Sequence, residues 1–249
     1  MTQLPLDTAT LIAIPLIALG AYIILGISGF GSALVSIPLM THVLPLTVVV
    51  PLVVMADFIA SIVQGVRFRG DIDRDEIKRL IPAAMIGIMI GVTVLASVPA
   101  QWLLLFLGTF VTGYGLYRLI GAKQIRKIGP RWGYAAGLAG GAIGGVIGIG
   151  GPIYAAYMSA RMEDPVRIRA TISIIFTFST GLRVVLYLVS GLMLQPQVWW
   201  ALPLMFPSMV VGLYIGHRLH LNLSRDQVMR MISVLLVASG VSVLIKAVV

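Results

Sequence analysis

The sequence contains no cysteine and very little charge. The absence of cysteine excludes disulfides, a thiolate nucleophile and a cysteine-ligated metal site. Charged residues make up 11% of the 249 residues and hydrophobic residues 59%, with a mean hydropathy of +1.01, whereas soluble domains carry roughly 25% charged residues. Polar stretches are too short to form a separate soluble domain, so most of the surface must face lipid. The chain is therefore predicted to be one transmembrane domain, residues 1–249.

Acidic residues are also scarce, with nine Asp and Glu against 18 Lys and Arg, which gives a net charge of +9. Sixteen of the 18 basic residues lie in four segments, 67–79, 118–131, 161–169 and 218–230. This clustering in loops predicts no nucleic-acid partner. Because basic loops face the cytoplasm, these four segments are predicted to lie inside. The loops without Lys or Arg, 40–47, 97–101 and 192–197, are predicted outside.

The apolar stretches indicate an all-α membrane protein. Those of about 18–22 residues match a membrane-spanning helix, and a hydropathy count gives about eight spans. Two stretches, 33–46 and 152–160, are shorter, and each follows a glycine-rich turn. Because the basic segments on either side of 132–160 are both predicted inside, we expect a re-entrant helix hairpin there and a second one at 8–42. Six full spans then remain, and both termini are predicted periplasmic.

The sequence contains an internal repeat, and each copy begins with one of the two predicted hairpins. The segment GISGFGS at 26–32 resembles GVIGIGG at 145–151, at an offset of 119. Two repeats, about 8–120 and 132–248, would each contain a glycine-turned hairpin and three transmembrane helices. Three crossings is an odd number, so the repeats would have opposite orientation. Inverted repeats with broken helices near the midplane are typical of secondary transporters.

The chain also resembles a known family over essentially its whole length. The resemblance rests on four segments: GISGFGSALVSIP at 26–38, PLVVMADFIA at 51–60, GGVIGIGGPIYAAYM at 144–158 and RIRATISIIFTFSTGLRVVLYLVSG at 167–191. These segments are similar to those of the TauE/SafE sulfite exporter family. The resemblance implies an exporter of sulfite, sulfoacetate or a related organosulfur anion in the inner membrane of a bacterium. We therefore expect a secondary transporter that works by alternating access.

The glycine turns are the first candidate for the substrate site. A helix restarts after Gly31 and again after Gly151, and each restart presents free N–H groups and a positive dipole end. The predicted binding residues are Ser28, Gly29, Gly31, Ser32, Gly148, Gly150, Gly151 and Arg183. The alternative explanation for the glycines is close helix packing, since four of them recur at intervals of four: Gly133, Gly137, Gly141 and Gly145. Both interpretations can hold together.

Charged residues inside predicted spans are the second candidate. Arg183 is the basic residue deepest in a span, and it is predicted either to bind the substrate or to form an ion pair. Asp57 is the only acidic residue inside a span, and Asp57, Ser61 and Gln64 share one helix face. Asp57 and Gln64 are therefore candidates for coupling or ion pairing, with protons as the coupling ion. Interhelical hydrogen bonding explains Asp57 about as well.

Two other functional classes use the same features. An anion channel would use the same residues without coupling. An intramembrane serine hydrolase could use Ser28, because residues 26–29 read GISG, although it would need a histidine base at membrane depth. His217 and His220 form an HxxH pair without a third ligand, so no metal site and no cofactor are expected. We accordingly predict that the protein is not an enzyme; its oligomeric state is left open.

Overall fold

The computed structural model describes residues 8–29, 31–67, 72–120, 128–219 and 225–248, and within them the side chains of 28, 64–67, 219 and 225–229 are not described. These ranges form ten α-helices and one 3-10 turn at Leu192–Leu194, with no strand among them. The helices are α1 Thr8–Ser28, α2 Ser32–Met40, α3 Leu46–Arg67, α4 Arg74–Ser97, α5 Ala100–Leu119, α6 Trp132–Ile147, α7 Gly151–Arg161, α8 Pro165–Val189, α9 Pro196–Leu219 and α10 Arg225–Val248.

Helix length and hydropathy confirm an all-helical membrane protein. In the described ranges, seven helices are long and apolar enough to cross a membrane (α1, α3, α4, α5, α8, α9 and α10), and α6 is a shorter apolar helix. This agrees with the hydropathy count of about eight. The α1 helix by itself, without α2, has the length and composition of a full span. The re-entrant hairpins and the count of six full spans therefore stay predictions.

Two helices are too short to cross. The α2 helix has nine residues and α7 has 11, which at about 1.5 Å per residue gives roughly 14 and 16 Å, about half of the hydrocarbon thickness. Each follows a longer helix across a glycine turn. We call residues 29–31, between α1 and α2, the first break, and residues 148–150, between α6 and α7, the second break.

Glycine is required at both breaks by backbone conformation. Gly29 and Gly31 have φ of 81° and 108°, and Gly148 has φ of 73°. A residue with a Cβ atom adopts this region only with strain. The sequence therefore stops each helix at a residue that can turn the chain through left-handed conformation and restart it within three residues.

The predicted glycine face of α6 packs against α4, which confirms the packing interpretation. Added Cβ atoms at Gly137, Gly141 and Gly145 would lie 2.5, 2.3 and 2.8 Å from the carbonyl oxygens of successive turns of α4, at Leu80, Ala84 and Ile88. Only glycine permits backbones to approach this closely. A similar contact joins α1 and α9, where a Cβ at Gly216 would lie 2.2 Å from the Ile23 carbonyl oxygen.

A buried ion-pair cluster ties α4 to α7. Glu76, in the first turn of α4, is 2% exposed. Its Oε1 accepts from Arg161 Nε at 3.0 Å and from Arg79 Nη1 at 3.1 Å, and its Oε2 accepts from the Tyr157 hydroxyl at 2.5 Å. The carboxylate therefore has both charge partners and hydrogen-bond partners, as a buried carboxylate needs. The cluster fixes the C-terminal end of α7, which positions the second break.

Candidate functional site

Asp57 on α3 is held at the first break by two hydroxyl groups. Its side chain is buried, and Oδ1 accepts hydrogen bonds from the Tyr22 hydroxyl at 2.8 Å and from Ser32 Oγ at 2.7 Å. Ser32 is the first residue of α2, so the carboxylate lies at a helix N-terminus, where negative charge is stabilised. The position predicted for a substrate anion at the first break is therefore next to the protein's own carboxylate.

A small cavity adjoins this carboxylate. Its polar lining consists of Ser32, Asp57, Ser61 and Ser173, and the rest of its wall is formed by Leu25, Gly29 and Phe176. The predicted polar stripe on α3 is confirmed for Asp57 and Ser61, which face the same cavity. Gln64 lies on α3 and Ser28 ends α1, but both side chains are outside the described part of the structure.

Arg183 on α8 is buried at the second break, with 2% of its surface exposed. Its Nη1 donates to the carbonyl oxygens of Gly144 at 3.0 Å and Gly148 at 3.1 Å, and its Nε donates to the Ser179 carbonyl oxygen at 3.1 Å. Nη2 makes no hydrogen bond to the described residues. The guanidinium thus caps the C-terminal end of α6, where positive charge is stabilised.

The two intramembrane charges do not form an ion pair with each other within the described residues. The hydrogen bonds of Asp57 go to Tyr22 and Ser32, and those of Arg183 go to backbone carbonyl groups. Each charge instead lies at the end of a broken helix. The carboxylate meets the N-terminus of α2 at the first break, and the guanidinium meets the C-terminus of α6 at the second break.

Two buried hydroxyl groups near Arg183 have no partner other than each other. Tyr154 Oη, on the first turn of α7, and Ser179 Oγ, one turn before Arg183 on α8, are neighbours that interact with each other, and neither makes a hydrogen bond of standard geometry to the rest of the described structure. Both residues are 1% exposed. Buried hydroxyl groups are nearly always hydrogen-bonded, so an unpartnered pair beside a guanidinium is a site where an acceptor can bind.

Phe176 on α8 lies between the two breaks. Its ring lines the cavity beside Asp57, and its Cζ would be 2.6 Å from a Cβ atom at Gly151, the first residue of α7. It also meets the Tyr154 ring edge to face, with centroids 6.3 Å apart and an interplanar angle of 87°. One aromatic side chain therefore lines the cavity at the first break and packs against the first residue of α7, next to the second break.

Six polar or aromatic residues at the two breaks are missing from the sequence-based site: Tyr22, Ser61, Tyr154, Ser173, Phe176 and Ser179. A signal for Phe176 was the face of α8, since Phe176 precedes Arg183 by seven residues, close to two turns of a helix. Gly148 and Gly150 lie in the second break and Gly151 begins α7, and their role in substrate binding stays a prediction. Of the HxxH pair, His220 lies outside the described residues.

Comparison with known proteins agrees with this architecture. The chain is 25% identical over 199 residues, 77% of this chain and 80% of the relative, to a protein of Comamonas testosteroni named "Probable inner membrane transporter protein TsaS". No solved structure matches the chain significantly. The family model described as "Sulfite exporter TauE/SafE" matches residues 14–243. That match covers nearly every helix and both breaks, and the chain therefore belongs to the TauE/SafE family of membrane transporters.

Proposed function

We propose that the protein exports a small sulfur-containing anion, such as sulfite or sulfoacetate, by alternating access, and that the anion binds at the second break. The binding groups are Tyr154 Oη, Ser179 Oγ and the Arg183 guanidinium, beside the N-terminus of α7. Gly148 and Gly150 of the second break and Gly151, the first residue of α7, contribute backbone at the same position.

The pair of unpartnered hydroxyl groups carries this proposal. A hydroxyl group has one proton to donate, and those of Tyr154 and Ser179 have no acceptor among the described residues other than each other, so at least one of the two protons is available to a substrate oxygen. With Nη2 of Arg183, the second break offers three kinds of donor in a buried position. Sulfite and sulfonate groups carry three oxygen atoms and are pure acceptors, so they match such a donor set. Hydrogen bonds to a charged acceptor are the strong class.

The sequence-based site at the first break is revised on the same reasoning. Ser32 donates its proton to Asp57, so it has none left for a substrate oxygen. A carboxylate beside Gly29 and Gly31 would also repel an anion. We therefore assign Ser32 to holding Asp57 in place and Gly29 and Gly31 to turning the chain, rather than to the substrate; the Ser28 side chain lies outside the described part of the structure.

The helix arrangement supports a transporter of two repeats. The helices α1–α5 correspond in order and length to α6–α10, with α2 and α7 short and each preceded by a glycine turn. Contacts run between the halves: α4 packs against α6 and α1 against α9, while α3 packs against α8 and α5 against α10. Inverted repeats of this kind place the substrate where broken helices meet.

Counterflow in proteoliposomes tests the substrate and the class of transport together. Vesicles preloaded with unlabelled sulfite, sulfoacetate, sulfate or thiosulfate are diluted into labelled sulfite. A carrier accumulates label transiently against the gradient, whereas a channel does not. Ser28→Ala should leave counterflow intact, because Ser28 has no role here as a nucleophile.

Two tyrosine variants locate the anion. Tyr154→Phe should weaken anion affinity by about 10- to 150-fold, since one hydrogen bond to a charged group contributes roughly 1.5–3 kcal/mol, without lowering thermal stability. Tyr187→Phe is the matched control, because the Tyr187 hydroxyl already donates to the Gly145 carbonyl oxygen at 2.8 Å. It should lower stability and leave affinity unchanged. Wild-type affinity in both Tyr154→Phe and Ser179→Ala would exclude the second break as the anion site.

We also propose an inner-membrane location with both termini periplasmic. The location rests on the name of the Comamonas relative, and the orientation rests on the clustering of basic residues in four loops. Single cysteines placed at Gly121 and Glu163 in this cysteine-free chain should both react with an impermeant maleimide only from the cytoplasmic side. Labelling of these two positions from opposite sides would contradict the re-entrant arrangement of 132–160.

A further inference from the structure

The cavity at the first break has the size of a single small ion or water molecule. Its volume is about 20 Å³, and one water molecule needs roughly 10–15 Å³ on this measure. It has no room for a sulfonate with its organic group. Leu25 and Phe176 close the cavity on its apolar sides, and Asp57 and three serine side chains form its polar lining.

Each serine that lines the cavity uses its proton elsewhere. Ser32 Oγ donates to Asp57 at 2.7 Å, Ser61 Oγ donates to the Phe58 carbonyl oxygen at 2.8 Å, and Ser173 Oγ donates to the Arg169 carbonyl oxygen at 2.8 Å. A hydroxyl oxygen keeps two lone pairs after its proton is donated. The polar side chains of this cavity therefore offer lone pairs only, which is the reverse of the donor-rich second break.

Asp57 is the one charged residue in the lining of the cavity. Its buried carboxylate makes no salt-bridge contact in the described part of the chain, although the Arg183 guanidinium acts on it from a longer distance. The cavity touches both the C-terminal end of α1, at Leu25 and Gly29, and the N-terminus of α2, at Ser32. The two helix dipoles there act in opposite directions, so the carboxylate sets the sign of the charge. One carboxylate balances one positive charge.

We infer that the first break binds one monovalent cation of the size of Na⁺, through the Asp57 carboxylate and the hydroxyl oxygens of Ser32, Ser61 and Ser173. Oxygen ligands of this kind suit hard cations, and the ends of broken helices bind Na⁺ in other transporters. The site itself stands without the transport proposal, whereas its use as a coupling site rests on that proposal.

Thermal unfolding of the purified full-length protein tests the site in the absence of any sulfur anion. NaCl is titrated against choline chloride at constant ionic strength and constant pH, and a second series uses KCl. Na⁺ should raise the melting temperature in a saturable way while choline does not, because a ligand that binds only the folded state stabilises it. Binding of radioactive ²²Na⁺ to the same samples gives the affinity directly.

Serine variants test the proposed Na⁺ site without removing the buried charge of Asp57. Ser61→Ala and Ser173→Ala should each weaken Na⁺ affinity by about 10-fold, and Asp57→Asn should abolish the response. Ser239→Ala is the matched control: its Oγ is also buried and donates to a backbone carbonyl, that of Leu236, but it lies on α10 and does not line the cavity. Its Na⁺ response should equal that of the wild type.

Three results would overturn the inference. The first is a wild-type melting temperature that responds equally to Na⁺ and choline. The second is Na⁺ affinity unchanged in both Ser61→Ala and Ser173→Ala. The third comes from an added series at varied pH in choline chloride: a melting temperature that depends on pH in the wild type but not in Asp57→Asn, with no response to Na⁺ at any pH, would mean that Asp57 takes up a proton instead. Na⁺ binding without sulfite counterflow would leave this site in place and refute only the transport proposal.

Discussion

A single methyl group on the glycine face of α6 should separate two helices that now touch through their backbones. In Gly141→Ala the new Cβ would lie 2.3 Å from the Ala84 carbonyl oxygen, where ordinary contact begins at 3.4 Å. The α4 and α6 backbones would have to move apart by about 1 Å, because no side chain is available to rotate away. Overpacking of this kind costs roughly 1–3 kcal/mol.

Gly113→Ala on α5 provides the matched control, since an added Cβ there has no other atom within 4 Å. Both substitutions gain the same helix propensity, roughly 1 kcal/mol, so the difference between the two variants isolates the cost of separation. We expect Gly141→Ala to be less stable than Gly113→Ala by about 1–3 kcal/mol, measured by thermal unfolding in detergent. Equal stability of the two variants would show that α4 and α6 are not in backbone contact.

Three further perturbations test the charged groups. Glu76→Gln should destabilise the protein by roughly 1.5–3 kcal/mol because it removes the charge that accepts hydrogen bonds from Arg79, Arg161 and Tyr157. Arg79→Gln, whose side chain is 30% exposed, should cost less in the same unfolding assay, because Arg161 and Tyr157 still partner Glu76. Burial and the nearby Lys246 ammonium lower the pKa of His42, so Lys246→Met should raise that pKa toward its ordinary value in an NMR titration. Arg183→Gln should lower both stability and sulfite affinity, because the side chain caps α6 as well as facing the proposed anion; loss of affinity without loss of stability would contradict the capping role.

The sequence predicted those features that depend on residue type at a fixed spacing. Four glycines at intervals of four predicted a close-packed helix face, and α6 meets α4 through three of them. Glycine runs inside apolar stretches predicted the two breaks. The spacing of Asp57 and Ser61 predicted one polar face, because neighbours four residues apart on a helix point the same way.

The partners of the buried charges could not be predicted, because they depend on how distant helices meet. Tyr22 reaches Asp57 across 35 residues, and Arg183 reaches the Gly144 carbonyl across 39. Backbone carbonyl groups carry no sequence signal at all, so capping of α6 by Arg183 is invisible before the fold is known. Phe176 shows a third limit: an aromatic residue in an apolar stretch looks like lipid-facing surface until its contact with Gly151 is seen.

The first break is proposed to bind a cation and the second an anion, and this difference limits how transport of the two ions can be coupled. An anion at the second break and a cation at the first attract each other, and the low dielectric of the protein interior strengthens that attraction. Electrostatics alone therefore favours binding of both ions at once, which corresponds to symport. Export driven by an inward cation gradient requires the reverse, in which the two ions exclude each other. Phe176 contacts the cavity of one site and the first residue of α7 at the other, so displacement of its ring by one ion can close the other site. Because linkage between two ligands is reciprocal, the sign of the change in sulfite affinity on adding Na⁺ distinguishes these mechanisms: weaker binding supports coupled export, and tighter binding supports uptake.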